Sequence, residues 1–210
     1  MISVKNVARA VAVPAVAILI LAGAAHAWPI QIFSTGVNGG GVVLPDGTVG
    51  DPHYTLIAVP VGSTTDIRVR TSAGGYPVVG AWLGDDSISA WIGPNNDASV
   101  SGPDIFYTYR TTFDLSGFDP TTASLTGQWS ADNGGSDILL NDSSTGNTAG
   151  AFNSWSSFTI LSGFIAGVNT LDFIVNNGGG PTGLRVEVLP EPATLSLLAL
   201  GGLMALCRRR

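Results

Sequence analysis

Short apolar runs separated by polar turns dominate residues 50–189 of this chain. In two of the runs every second residue is apolar: Ile67 and Val69 alternate with charged residues, and so do Leu184, Val186 and Val188. A period of two is typical of a strand with one face in the core and the other in water. We therefore predict half-buried strands whose charged residues face outward.

The same pattern predicts eight to ten strands, with Gly, Asn, Asp and Ser in the gaps between them. No apolar repeat of 3.6 residues is long enough for a stable helix, which excludes a parallel α/β fold with crossover helices. The sequence favours an all-β antiparallel sandwich or jelly roll. The predicted strands are 54–59, 65–70, 78–82, 87–92, 106–115, 122–131, 137–140, 157–161, 169–175 and 184–189.

The first 27 residues have the pattern of a secretory signal peptide. Lys5 and Arg9 form a basic start, residues 11–21 are apolar, and Ala25 and Ala27 frame a small-x-small cleavage site. We expect the mature chain to begin at Trp28, outside the cytoplasm.

The last 21 residues combine a proline-rich tripeptide, an uncharged run and a basic end. Pro190, Glu191 and Pro192 precede residues 193–207, and the chain closes on Arg208, Arg209 and Arg210. At about 1.5 Å per residue the uncharged run spans about 22 Å, which makes it a short transmembrane segment. The arginines should hold the basic end, 208–210, in the cytoplasm.

This order of features closely resembles the PEP-CTERM sorting signal of exported bacterial proteins. The resemblance covers residues 190–210 and implies a membrane processing enzyme of the exosortase type as a partner. The body would be anchored transiently, cut free, and passed on to the cell surface or the extracellular matrix. An ordinary C-terminal anchor that is never cut is the alternative.

The body between these two signals, residues 28–189, has the size of one domain. Residues 28–190 contain four arginines, no lysine and fourteen carboxylates, a formal balance of −10. Such a body repels nucleic acid and anionic membranes, so we expect neither as a partner. The chain's one cysteine, Cys207, lies in the tail, so the domain has no disulfide.

Catalytic signals are weak in this body. His53 is its only histidine, and no Gly-x-Ser-x-Gly, His-Glu-x-x-His or phosphate-loop pattern occurs. Its aspartates stand mostly beside Gly, Pro, Asn or Ser, where a carboxylate commonly caps its own turn. We expect a protein that is not an enzyme.

Several stretches resemble, in order, the galactose-binding-like sandwich of glycosidases and carbohydrate-binding modules. They are 51–54, Trp82 with 89–92, 107–113, 131–133, Asn141 and 167–173. The resemblance spans residues 50–189 and implies a jelly roll, with room for carbohydrate binding at loops on one rim. Asp142 departs from the usual Asn-Gly turn at the position after Asn141.

Sugar binding requires an aromatic face for a pyranose ring and planar polar groups for its hydroxyls. Trp155 and Trp82 are candidates for the first; Trp91 and Trp129 lie within predicted strands and are better explained as core residues. Trp155 lies in a polar, loop-like segment, and its position is equally consistent with sugar binding and with burial in the core. At Asn176, a role in forming the turn is the alternative to sugar binding. The candidate polar residues are Asp132, Asn133, Asn153 and Asn176.

A structural calcium ion is a further expectation, because such an ion would stabilise an exported domain without disulfides. Asp46 and Asp51, near the start, and Glu187, near the end, could meet, as in related sandwiches that carry calcium there. Asp85 and Asp86 form the other acidic cluster. Neither set has the spacing of an EF-hand.

Three hypotheses follow for the function. The first is an exported matrix or cell-surface protein, for example of a biofilm matrix, that associates with extracellular polysaccharide. The second is a purely structural or adhesive protein without a glycan ligand, which predicts that Trp82, Trp91, Trp129 and Trp155 are all buried. The third and least favoured is a glycan hydrolase, which needs two apposed carboxylates in a cleft.

Overall fold

The computed structural model describes residues 30–94 and 105–188. The predicted signal peptide and the predicted sorting signal, with its transmembrane segment, lie outside these residues. Within the described ranges no helix combines the length and the apolar character needed to cross a bilayer.

Two five-stranded antiparallel sheets form the body. Sheet 1 has the strand order β1-β4-β9-β6-β7, and sheet 2 has the order β2-β3-β10-β5-β8. The predicted all-β class and antiparallel sandwich are confirmed. The strands are β1 Thr55–Ala58, β2 Arg68–Arg70, β3 Trp91–Gly93, β4 Ile105–Asp114, β5 Leu125–Asp132, β6 Gly134–Leu140, β7 Ser143–Ser144, β8 Ser156–Ile160, β9 Val168–Asn177 and β10 Gly183–Val188.

The core lies between the two sheets and is rich in aromatic side chains. Trp129 of sheet 2 packs against Phe173 of sheet 1 with ring centroids 5.4 Å apart, and Phe158 contacts the same ring at 6.0 Å. All three are buried. Burial of this much apolar area supplies most of the stabilisation expected for a domain without disulfides.

One predicted strand, 78–82, is wrong, and two others have at most half of their predicted length. Residues 77–82 form consecutive turns, with Gly80 at a φ of 94° and the Trp82 amide donating to the Pro77 carbonyl. Of the predicted strand 87–92 only the last two residues are in β3, and β2 begins at Arg68. Gly80 disrupts an otherwise β-prone run because its backbone conformation is one that strands do not adopt.

The outer face of sheet 2 is covered, which the alternation in β10 did not indicate. Arg185 and Glu187 were expected to face solvent, yet they are 1% and 3% exposed. The segments 71–90 and 149–155 pass over them, and Trp82, Trp91 and Val78 form a second small core beneath this cover. The prediction of outward-facing charges is therefore wrong for β10.

The turn between β6 and β7 is tight although it lacks glycine. Asn141 and Asp142 both have positive φ, 51° and 63°. Asn and Asp tolerate this conformation better than other non-glycine residues, so Asp142 substitutes for the glycine of an Asn-Gly hairpin turn.

Candidate functional site

Four of the six residues predicted to bind sugar meet where the chain crosses from sheet 2 to sheet 1. β5 ends at Asp132 and β6 begins at Gly134, so Asn133 forms the link. The Trp82 indole donates a 2.7 Å hydrogen bond to Asp132 Oδ2, and the Asn133 amide donates to the Asn176 carbonyl at 2.8 Å. The structure thus brings Trp82, Asp132, Asn133 and Asn176 together.

Asp132 is the buried member of this group. Its other carboxylate oxygen, Oδ1, is inaccessible to solvent and has no hydrogen-bond partner. Burial raises the pKa of Asp132 to about 6, although the hydrogen bond from Trp82 opposes this shift. Trp82 is also buried, at 5% exposure, so its ring is not available to a ligand. The hydrogen bond between Trp82 and Asp132 instead stabilises the connection between β5 and β6 from the protein interior.

Asn133 and Asn176 are the exposed members. The Gly178 amide donates to Asn133 Oδ1 at 2.7 Å, which fixes the orientation of the Asn133 side chain. Asn176 lies on the outer face of β9, where its register partners are Phe106 on β4 and Gly134 on β6. Directly paired residues of neighbouring strands project from the same face, so Phe106, Asn176 and Gly134 form one row.

We call this row, together with Asn133, the strand-end platform. Phe106 is 52% exposed, and Gly134 has no side chain beside Asn176; a β-carbon at Gly134 would lie 3.3 Å from the Ala149 carbonyl oxygen, which borders the row on that side. An exposed aromatic ring next to amide groups is the arrangement that stacks a sugar ring and hydrogen-bonds its hydroxyls.

Phe106 was missed by the sequence reasoning, which considered only tryptophans as sugar platforms. The alternation of inward-facing and outward-facing residues along β4 could have identified Phe106. Tyr107 and Tyr109 are buried, whereas Phe106 shares its face with Thr108 and Arg110. An aromatic residue in phase with the polar positions of a strand faces outward.

The tryptophans occupy two different environments. Trp82, Trp91 and Trp129 are buried, and Trp155 is half-buried. The Arg185 guanidinium lies 5.1 Å from the centroid of the Trp155 ring, a cation-π contact made from the protein side. The neighbouring predicted residue, Asn153, is exposed on the same covering segment. Trp155 and Asn153 therefore belong to the cover of sheet 2.

The three carboxylates expected to share calcium are each engaged by the protein. Asp51 accepts the amides of Gly36, His53 and Tyr54, and Asp46 accepts the amide of Thr71. Glu187 accepts the Ser89 hydroxyl and the Gln128 amide. These donors use part of the bonding capacity of each carboxylate and tie the three side chains to separate partners within the fold.

Metal-ligating side chains are also not grouped elsewhere in ranges 30–94 and 105–188. No three His, Cys, Asp or Glu residues there are placed to hold a metal ion. Asp85 accepts both the amide and the hydroxyl of Ser72, and Asp86 pairs with Arg185. Asp46, Asp51 and Glu187 thus do not fit a shared calcium ion, and neither does the pair Asp85 and Asp86.

A groove of about 430 Å³ lies at the opposite end of β4 from Phe106. Phe33 and His53 stack on one side of it with ring centroids 3.8 Å apart, and Thr112 and Asp114 line the other. Its aromatic pair is only partly exposed. The groove is a second place where a small polar molecule could be accommodated.

Comparisons with known proteins give little further information. No protein-family model matches the chain, and no curated protein matches it. Among solved structures, the chain is similar to CBM35 from Paenibacillus barcinonensis, at 18% sequence identity and a TM-score of 0.36. That similarity covers 69% of this chain and 98% of the other. At this level it carries no argument about the site.

Proposed function

We propose that this chain is an exported, non-enzymatic protein of the cell surface or extracellular matrix that binds polysaccharide through the strand-end platform. The observation that supports this best is the row formed by exposed Phe106, Asn176 and Gly134 on the outer face of sheet 1. The jelly-roll relationship expected from the sequence is part of the same proposal.

The shape of the platform suits a polymer better than a small isolated sugar. Its members belong to the flat outer face of a sheet, and an extended chain can lie across such a face while contacting several residues. Stacking of a ring on an exposed aromatic residue contributes about 1 kcal/mol beyond its buried area, and each neutral hydrogen bond contributes about as much. Affinity for a single sugar should therefore be weak and should increase with chain length.

Replacing Phe106 by alanine should weaken binding to the polysaccharide about tenfold, because the stacking surface is removed. Retardation of the full-length chain, purified in mild detergent, by polysaccharide-containing native gels measures this effect. Phe118→Ala is the matched control, since Phe118 is a second exposed phenylalanine, located in the turn after β4 and away from the platform. Equal retardation of the wild type and both variants would place the sugar contact elsewhere.

The adhesive alternative without a glycan ligand predicted that Trp82, Trp91, Trp129 and Trp155 are all buried. Three are buried and Trp155 is half-buried, so the tryptophans alone do not decide between the two hypotheses. The exposed aromatic beside amides is Phe106, and it favours the binding hypothesis. Failure of the wild type to bind any polysaccharide, including that of its producer, would favour the adhesive alternative.

A hydrolase is not supported by the carboxylates of the described residues. Asp86 and Glu187 interact with each other, but both also contact Arg185, and Glu187 is buried. A substrate has no access to Glu187, and a glycosidase needs both carboxylates at the sugar.

Sorting through residues 190–210 is the second part of the proposal. It is supported by the order of Pro190-Glu191-Pro192, the short uncharged run and the terminal arginines. An exosortase-type enzyme would release the body by cutting near the tripeptide.

Deleting residues 190–210 should redirect the body: it would be secreted without membrane association and would no longer reach the surface or matrix in the normal amount. Fractionation of producing cells, with the body detected in membrane, matrix and medium, measures this. Replacement of Arg208, Arg209 and Arg210 by serine should cause a similar change, because the basic end no longer fixes the orientation. Unchanged distribution in both variants would exclude the sorting role.

A further inference from the structure

We infer, on the basis of the proposed function, that the strand-end platform selects polysaccharides that bear free amino groups over neutral ones and disfavours those that bear carboxylates. This inference rests on two observations: the described arginines are ion-paired or lie away from the platform, and Asp137 lies close to it.

The described arginines do not offer an anion site at the platform. Arg110 is the one closest along its strand, four residues from Phe106, and its Nε and Nη2 atoms contact both oxygens of Asp172 at 2.6 Å. Asp142 contacts the same Nη2 atom at 3.2 Å. Arg185 is buried under the cover of sheet 2, and Arg68 and Arg70 are in β2 at the edge of that sheet. A uronate ligand would therefore meet no uncommitted guanidinium on this face.

The outer face of sheet 1 is instead acidic. Asp114, Asp137 and Asp172 lie on its strands and Asp142 at its edge turn, whereas Arg110 is the sole basic residue among the described residues of these strands. Four carboxylates against one guanidinium give the face a negative potential that attracts cations and repels anions. The formal balance of −10 over residues 28–190 acts in the same direction.

Asp137 places one of these carboxylates next to the platform. Its register partner is Ile174, which lies two residues from Asn176 on the same face of β9, and a bulge between Gly135 and Asp137 separates it from Gly134 of the platform. Such diagonal neighbours are about 7–8 Å apart, within reach of one sugar unit that also contacts Asn176. Both hydrogen bonds that Asp137 accepts within the described residues, from the amides of Ile138 and Gly146, end on Oδ1. Its Oδ2 atom is left to accept from a ligand.

The chemistry of recognition follows from this placement. A sugar ring stacks on Phe106, its hydroxyls contact the amide of Asn176, and a protonated amine on that ring or the next donates to Asp137 Oδ2. A hydrogen bond between an ammonium group and a carboxylate is stronger than one between neutral groups. An acetylated amine loses this charge and an acidic sugar is repelled.

The test compares one polymer in two forms, a glucosamine polymer and its N-acetylated counterpart, together with a polyuronate. We expect the full-length chain to bind the amine form about two- to fivefold more tightly than the acetylated form, as for an exposed ion pair. The polyuronate should bind more weakly than both. Added salt should reduce the preference for the amine form, because exposed charges are screened.

Asp137→Asn should remove the preference for the amine form and leave binding of the acetylated form unchanged, since the asparagine oxygen can still accept from Ile138 and Gly146. Asp114→Asn is the matched control: Asp114 is also exposed on β4, accepts the Ser116 amide in the same manner, and lies at the far end of the strand. It should keep the preference.

Each contrary result has a separate meaning. Equal binding of the amine and acetylated forms by the wild type, or preferred binding of the polyuronate, overturns this inference and leaves the proposed function intact. A preference that persists in Asp137→Asn overturns the role of Asp137. Absence of binding to all three polymers overturns this inference, and it overturns the proposed function as well when the polysaccharide of the producer is not bound either.

Discussion

Arg185→Ala should lower the free energy of unfolding by about 3–5 kcal/mol, the range expected when one partner of a buried ion pair is removed. The guanidinium contacts Asp86 at 2.7 Å and Glu187 at 3.8 Å, and donates to Ser89 Oγ and to the carbonyls of Gly84 and Ser89. Without it Glu187 remains buried as an uncompensated carboxylate, which burial already disfavours by raising its pKa.

Arg185 is also the main link between sheet 2 and the segment that covers it. Loss of its bonds to Gly84 and Ser89 should loosen residues 83–89, so protease cleavage in this segment should increase in the folded variant. Urea unfolding followed by tryptophan fluorescence gives the change in stability.

Arg110→Ala serves as the comparison for this prediction. Arg110 is partly exposed but its partner Asp172 is buried, so its loss should cost about 1–3 kcal/mol, the range for a buried acceptor that loses its donor. Equal losses in the two variants would show that the fully buried network of Arg185 contributes no more than the half-exposed pair of Arg110 and Asp172.

Gly135→Ala is the second substitution with a large expected effect, a loss of about 3 kcal/mol. A β-carbon at this position would lie 2.0 Å from Cη2 of Trp129 and 2.4 Å from Cζ3. Trp129 cannot withdraw, because it is fully buried and packs against Phe173. The added methyl group must displace β6 or the ring, and overpacking of a dense core destabilises it.

Gly150→Ala is the matched control for the core substitution. Gly150 follows Ala149, which pairs with Gly135, but a β-carbon at Gly150 meets no atom within 4 Å. Its stability should change by less than about 0.5 kcal/mol. A Gly135→Ala protein as stable as this control would mean that the contact between β6 and Trp129 is looser than described.

The sequence predicted the sandwich because the strands carry their own signals. β4 and β9 are rich in aromatic and β-branched residues, and their alternation survives in the structure as buried Tyr107 and Phe173 opposite exposed positions. In these strands the alternation along the sequence matches the burial in the structure, so the sequence alone predicts both the strands and their buried faces.

The covered face of sheet 2 could not be predicted in the same way. Arg185 and Glu187 are charged residues of the kind expected on a solvent-exposed face. They are buried because the segment 71–90, distant in sequence, packs over them. Burial of a charge depends on partners that lie about a hundred residues away, which no local period reveals.

The candidate site was predicted in part. Asn133 and Asn176 were chosen for their amides, and the register of β9 with β4 and β6 supplies the aromatic residue that completes their surroundings. That register depends on pairing between strands about seventy residues apart, so Phe106 could be placed beside Asn176 only after the sheet was known.

The position of β10 has a mechanical consequence. It is the middle strand of sheet 2 and ends at Val188, two residues before Pro190. If residues 190–210 anchor the chain as proposed, tension on the C-terminus would enter the sheet through its middle strand, where β10 is bonded to β5 over six residue pairs. Load along a strand acts on all of these bonds at once. A body attached in this way should withstand pulling at its C-terminus better than at the short edge strand β7.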